Sequence, residues 1–302
     1  MDKNIPQKFE SLYDLHKVFG LPKPVHPLVS FINIRDIRIN TDELSPTMML
    51  NFYKIACKTD LCSHARYGQN YYDFREGGLV FTAPNQIFES PDDQTNSGFI
   101  LLFHPDFILS YPLVKKIKEY GFFSYAANEA LLLSEKEKET ILSVFKIIEE
   151  ELNNRIDDFS QDVMIAQIEL LLSYSNRFYK RQFITRKAVN HSILEKFEEV
   201  LDQSFNNSSL LEHGIPTVHS LAEKLSISAS YLSDLLRSLT GQNTQQYIHQ
   251  KLSNLAKEKL STTQLSISEI AYELGFEHPQ SFSKFFKKMV KVTPIAFRES
   301  FN

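Results

Sequence analysis

In the stretch "PQSFSKFFKKMV" (279–290) the side chains able to do chemistry gather on one side of a helical spacing. Phe282, Phe285, Phe286 and Met289 stand at i, i+3, i+4 and i+7, the stripe of a packed helix face. Gln280, Ser281, Lys284, Lys287 and Lys288 lie opposite that stripe. Amides and hydroxyls near a helix start can read the edges of bases, and lysines bind guanine edges or phosphates. The plainer reading is a lysine face that meets only water.

The residues just before supply a partner for this helix. Ile267, Ile270, Ala271 and Leu274 repeat the four-point stripe, opened by a capping box of Ser266 and Glu269. Gly275 is placed to end that first helix in the left-handed conformation, and Pro279 suits the first turn of the next. Two stripes joined by a tight Gly-containing turn predict a helix-turn-helix. The pattern also occurs earlier: Val218, Leu221, Ala222 and Leu225 make one stripe, and Leu232, Leu235, Leu236 and Leu239 the next. Ala222 maps on Ala271 at an offset of 49 and Leu232 on Phe282 at 50, so one residue is inserted in the second turn.

Between the copies runs "TQQYIHQKLSNLAKEKL" (244–260), helical in pattern through Ile248, Leu252, Leu255 and Ala256. At ~1.5 Å per residue this connector spans on the order of 25 Å. Major-groove faces recur every ~34 Å along one side of B-DNA, so the connector plus the width of the modules would set two helices into adjacent grooves. A packed helical core by itself gives no reason for the duplication.

The run "SLAEKLSISASYLSDLLRSLTGQNTQQYIHQKLSNLAKEKL", followed by "SISEIAYELGFEHPQSFSKFFKKMVKVTPIAFR", resembles the double helix-turn-helix domain of AraC/XylS-type transcription regulators. The resemblance implies binding to a double-stranded operator, with the second helix of each motif in the major groove, as a regulator working with the transcription machinery. An activator is expected, though the sequence leaves activation or repression open. Carried across, it gives the first motif the contacts Ser230, Ser233 and Asp234, with Arg237 on the next turn. The second motif receives Gln280, Ser281 and Lys284, continued by Lys287 and Lys288. Asp234 stands where the second motif has Lys284; it either accepts from cytosine N4 or pairs with Arg237. The first motif is therefore expected to give less affinity than the second. Lys291 departs from the family, which has Gly before "VTP", so the local turn is where the pattern differs.

Charge is distributed in the same sense. Residues 218–302 carry 10 Lys and Arg against 7 Asp and Glu, while the remaining 217 residues carry 23 against 30. A basic tail on an acidic body suggests a polyanion partner. The chain's 302 residues and ordinary composition, 42% hydrophobic and 23% charged, fit a globular protein of two domains. Its longest weakly charged apolar stretch, "SGFILLFHPDFILSYPLV" (97–114), is interrupted by His104, Pro105, Asp106 and Pro112, which argues against a membrane span. The opening "MDKNIPQKFE" does not read as an apolar secretory leader. Only Cys57 and Cys62 occur, which is no disulfide framework and a poor metal site, and fits a reducing cytoplasm. The expected location is cytoplasmic, on the nucleoid when DNA is bound.

From Leu28 to Phe103 the pattern is of strands: "LVSFINI", "MMLNFYKIA", "GLVFTAP" and "GFILLF", separated by turn-like clusters such as "YGQNYYDFREGG" and "SPDDQTNSG". Past Leu131 it turns helical. "SEKEKETILSVFKIIEEELNN" opens with the capping box Ser134/Glu137, and "SQDVMIAQIELLLSYSNRFYKRQ" is apolar over much of its circumference. "KRQFITRKAVN" (180–190) reads as a solvated linker or a phosphate contact, and a turn-rich "NNSSLLEHGIP" leads into the last module. The expected fold is α+β: a cupin-like β-barrel with a helical hairpin over residues 1–185, then an all-α domain of two helix-turn-helix motifs over 190–302.

In such regulators the first domain commonly binds a small-molecule effector or forms a homodimer, and "REGGLVFTAPNQ" fits a cupin turn. Arg66, Tyr71, Tyr72 and Phe74 could line a pocket or only cover a barrel mouth. Two other readings compete. The barrel could dimerise without an effector, with the helices of 134–152 and 160–181 as interface. It could instead be a cupin metalloenzyme, which needs converging histidines; the barrel region offers only His64, with His26 and His104 near its ends. No catalytic residue, metal or cofactor is therefore expected.

Overall fold

A computed structural model of the chain describes residues 6–38, 45, 47–60, 65–67, 70–72, 77–89, 97–126, 129–154, 157 and 159–301. The chain divides into two units, Met1–Gln182 and Phe183–Asn302.

The first unit begins with β1 (Gln7–Phe9), α1 (Leu12–Val18), β2 (Val29–Asn33), β3 (Thr47–Leu50) and β4 (Tyr53–Asp60). A hairpin of β5 (Ala65–Tyr67) and β6 (Asn70–Tyr72) follows, then β7 (Gly78–Thr82), β8 (Ile87–Glu89) and β9 (Ser97–Phe103). A short α2 (Leu113–Lys116) and β10 (Leu131–Leu132) lead to α3 (Glu135–Asn153) and α4 (Ser160–Thr185). The strands form a five-stranded sheet, β10-β7-β4-β9-β2, and a three-stranded sheet, β1-β3-β8. Sheet alternation gives the larger sheet two different faces. On one, Ile55, Phe81 and Leu101 are buried beside Phe122 and Phe123, with Phe31 against Phe145 of α3 and Phe122 stacked on Tyr179 of α4. On the other, Ile32, Ile100 and Leu102 share a core with Phe9, Met48 and Leu50 of the smaller sheet.

Two local readings of the sequence need correction here. "MMLNFYKIA" is not one strand: β3 and β4 belong to different sheets, and the chain turns at Asn51, whose amide donates to the Phe9 carbonyl. "YGQNYYDFREGG" is not merely turn, because the β5–β6 hairpin lies in it, paired Arg66 to Tyr71. The side chains of Arg66, Tyr71 and Tyr72, and all of Cys62, His64 and Phe74, lie outside the described residues. Cys57 is buried, and burial pushes its thiol up to about 12. His26 and His104 are used locally: each Nδ1 accepts a backbone amide, from Leu28 and Asp106 respectively. The capping box of α3 forms as expected, and its Glu137 also pairs with Arg181 of α4.

The second unit continues with α5 (Lys187–Ser204), α6 (Asn207–His213), α7 (Val218–Lys224), α8 (Ala229–Thr240) and α9 (Thr244–Thr262). It ends with α10 (Ile267–Glu273), α11 (Pro279–Val290) and α12 (Pro294–Glu299). The stretch 180–190, read as a linker, is helical on both sides of Arg186, because it holds neither Gly nor Pro to break it. "NNSSLLEHGIP" likewise contains a helix, α6, capped by the Asn206 side chain and ended at Gly214. Among the described residues, no helix is long and apolar enough to cross a membrane.

Candidate nucleic-acid interface

The two helix pairs coincide element by element. α7 and α10 are each 7 residues long and α8 and α11 each 12, displaced by the offsets of 49 and 50 read in the sequence. Each short helix opens on a capping box, Thr217/Ser220 in the first and Ser266/Glu269 in the second. Each turn needs a left-handed residue at the same place: Ser226 at φ 56° and Gly275 at φ 81°. The inserted residue is Glu277, which stands between Phe276 and the α11 cap His278. Each long helix then ends on another left-handed residue, Gly241 at φ 79° and Lys291 at φ 71°. Lys291 takes the conformation glycine would take, and its own Nζ donates to the Lys288 carbonyl at 3.0 Å.

One core positions both pairs. Leu221, Ala222, Leu232 and Leu236 of the first and Ile270, Ala271, Leu274, Phe282 and Phe286 of the second join a single buried cluster. Ile248, Leu252, Ala256 and Leu260 of α9 run through its middle at spacings of four. The connector is thus held along its length, and the pairs are fixed by shared burial worth ~1.5–3 kcal/mol per large side chain. Two ion pairs add to this: Lys259 to Glu273 of α10 and Lys251 to Asp202 of α5, both at 2.7 Å. Met289, placed on the apolar stripe by spacing, is 36% exposed instead, being beyond the last contact that Phe286 makes with α12.

Opposite the core, Gln280, Ser281, Lys284, Lys287 and Lys288 of α11 are all exposed. No described residue forms an ion pair with any of these three lysines. The first pair is arranged differently. Asp234 is half-buried and accepts from Arg237 Nη1 at 2.9 Å, so the acid and the base cancel. The Ser233 hydroxyl lies 3.1 Å from that of Thr244, a fully buried residue at the start of α9. Ser230 is half-buried, and Arg237 and its neighbour Ser238 are exposed.

Spacing on α11 alone could not find Gln245 and His249, which α9 brings beside it. His249 packs edge-on against Phe285 and its Nε2 lies 2.8 Å from Gln245 Nε2. Burial, and then the ammonium of Lys288, hold its imidazole below the ordinary range, so it is neutral at pH 7. Their i, i+4 placement at the start of α9 was the only signal.

A family model described as a helix-turn-helix domain matches residues 221–300, which takes in the turn and second helix of the first pair and all of the second. The C-terminal unit carries a helix-turn-helix domain. Regulatory protein SoxS of Salmonella typhimurium is 29% identical over 115 residues, 38% of this chain and 97% of SoxS. The HTH-type transcriptional regulator AlkR of Acinetobacter baylyi is 29% identical over 104 residues, 33% of this chain and 34% of AlkR. Among solved structures, the DNA-binding domain of AdpA in complex with a target DNA aligns with a TM-score of 0.31 and 26% identity, covering 35% of this chain and 91% of that one. The chain spans about a tenth to a third of the length of several curated relatives it matches.

Proposed function

We propose that the chain is a sequence-specific transcription regulator that lays α8 and α11 into successive major grooves of a duplex operator. The observation that carries this reading is the repeat itself: two helix pairs of matching lengths and turns on one core, one of them presenting three lysines that no described residue pairs with. A protein that needed only a stable core would gain nothing from the second copy. Its relatives SoxS and AlkR are named as a regulatory protein and a transcriptional regulator, which supports the same reading.

On this proposal Gln280, Ser281 and Lys284 reach base edges while Lys287 and Lys288 meet phosphates. Ser230 and Arg237 serve the first half-site. Ser233 and Asp234 act mainly by fixing Thr244 and Arg237. The first domain, residues 1–185, is read as a cupin-like effector-binding and dimerisation domain. Self-association is supported by α4, which exposes Val163, Ala166 and Leu170 at i, i+3 and i+7.

Selection from random duplexes with the full-length protein tests the core of the proposal. The expected result is a recurrent motif bound with a steep loss of affinity as salt rises. Recovery of no motif, or binding insensitive to salt, sinks it.

A further inference from the structure

We infer that Gln245 and His249 of α9 and Lys288 of α11 together hold one backbone phosphate of the operator, so that the connector itself takes part in DNA binding. This deepens the operator reading above and rests on it.

Gln245 and His249 stand four apart, one turn along the same side of α9. The fold lays that side against α11, where the His249 ring meets the Phe285 ring edge-on with centroids 5.5 Å apart. Gln245 and Lys288 are exposed and His249 is half-buried, and the ring lies close enough to Lys288 to feel its charge.

The hydrogen bonding of the ring leaves one donor over. Gln245 Nε2 can only donate, so at 2.8 Å it gives a hydrogen to His249 Nε2. The hydrogen of the neutral ring is then on Nδ1, and among the described residues nothing accepts it. Of the helices packed on α9, which are α8, α10, α11 and α12, only α11 sets a charge against the ring, that of Lys288. Among the described residues no acid pairs with Lys288. An anion from outside would therefore meet an ammonium and a free N–H donor side by side.

A duplex supplies that anion at the right place. A helix with its side chains is ~10–12 Å across and the major groove ~12 Å wide, so α11 seated there fills the groove. Side chains brought alongside by a second helix then meet the sugar–phosphate wall, where contacts fix register and carry no base preference. A phosphate between Lys288 and the ring reverses the balance that keeps His249 neutral. Its charge offsets that of Lys288, a second ring proton becomes favourable, and the Gln245 amide turns its oxygen to accept it. Binding thus takes up a proton. The free ring titrates below its ordinary range and the bound ring above the free one. The added affinity is therefore complete below the free value and is lost as pH rises through the bound one.

Titration of the full-length protein on a selected duplex, at several salt concentrations across about pH 5 to 8, tests this. Wild-type affinity should rise as pH falls, and its salt dependence should steepen by about 0.9, for one more phosphate contact. At the acid end His249→Gln should bind about tenfold more weakly than wild type, the margin of a charged hydrogen bond, and should lack the steepening. His249→Arg, cationic throughout, should keep the acid-end affinity at every pH. Because α11 is also capped by a histidine, His278, the readout is the difference between wild type and variant. In protein labelled with ¹³C at the histidine rings, the resonance absent from His249→Arg should titrate at higher pH with the duplex than without it. Equal pH and salt profiles in wild type and a folded His249→Gln, or a resonance whose titration the duplex leaves in place, overturn the phosphate site while the operator reading stands. A wild-type protein that selects no duplex removes the operator reading and the site with it.

Discussion

The two long helices differ most at one equivalent place, where an acid in the first faces a base in the second. The offset of 50 sets Ser230 against Gln280, Asp234 against Lys284, Arg237 against Lys287, Ser238 against Lys288 and Gly241 against Lys291. α8 spends its acid on its own arginine, while α11 turns three lysines outward beside Gln280 and Ser281, with no acid among them. The backbone, the caps and the buried positions are shared. Duplication fixed what folding requires at both sites and left the outward face free to diverge, so one motif can supply affinity and the other discrimination.

The largest effect that could break this comparison is electrostatic. Replacing Lys284, Lys287 and Lys288 together by Ala should reduce the salt dependence of operator binding by about 0.9 per lost phosphate contact and abolish tight binding at moderate salt. Lys284→Ala alone should cost about 1–3 kcal/mol of binding if it meets a base, and more than Asp234→Ala. Titrations of a selected duplex at several salt concentrations measure both. A larger loss from Asp234→Ala would reverse the ranking of the two motifs.

Next comes the shared core. Leu236 and Phe286 occupy equivalent positions and are both fully buried in the same cluster. Phe286→Ala should cost about 3–5 kcal/mol and Leu236→Ala about 2–5 kcal/mol. Because one cluster spans both pairs, either variant should lower a single calorimetric transition of the C-terminal unit. A transition that splits in two would mean that the pairs fold independently and that α9 is a simple rod.

The turns separate the motifs further. A Cβ on Gly275 would sit 3.0 Å from the Ile215 nitrogen and 3.1 Å from Gly214 backbone atoms, and the residue has φ 81°. Gly275→Ala should therefore destabilise by about 2 kcal/mol, strain adding to conformational cost. Ser226 holds the matching left-handed position at φ 56° with an exposed side chain. Ser226→Gly should stabilise by about 0.5–1 kcal/mol. Chemical denaturation of the two variants reads the difference, and equal, same-signed shifts would contradict it.

Where physical constraint was local, the sequence was readable. Stripes at i, i+3, i+4 and i+7, the capping boxes at Ser134 and Ser266 and the left-handed Gly275 all concern residues within one or two turns of each other. The pairing of Ser233 with Thr244 and the placement of His249 beside Phe285 depend on which element lies opposite, and no spacing encodes that. Asp234 was open between a base and Arg237, and only the side-chain geometry brings it to Arg237. The stretch 180–190 was legible as the join, since the boundary between the units falls at Gln182/Phe183, but its helical state was not, because basic, polar composition drew more weight than the lack of any helix breaker. The split of "MMLNFYKIA" was hidden for the opposite reason: an unbroken apolar run feeds two sheets when the chain bends between them.

The smallest effect concerns the ends of the long helices. Gly241 and Lys291 both close their helix in the left-handed region, and a Cβ at Gly241 would meet nothing within 4 Å. Gly241→Lys should cost only the backbone conformation, about 1 kcal/mol. Lys291 already bears that cost, offset in part by its Nζ donating to the exposed Lys288 carbonyl. Lys291→Gly should therefore stabilise the unit by a smaller amount, roughly 0.5 kcal/mol, and weaken operator binding slightly by removing a cation beside Lys287 and Lys288. Paired melting and binding measurements on this one variant separate the two roles. Stability rising while affinity falls would identify Lys291 as a residue kept against its backbone preference for the sake of the cationic face. A loss of stability would show instead that the bond to Lys288 outweighs the strain, and that this end of α11 differs from the end of α8 for folding reasons alone.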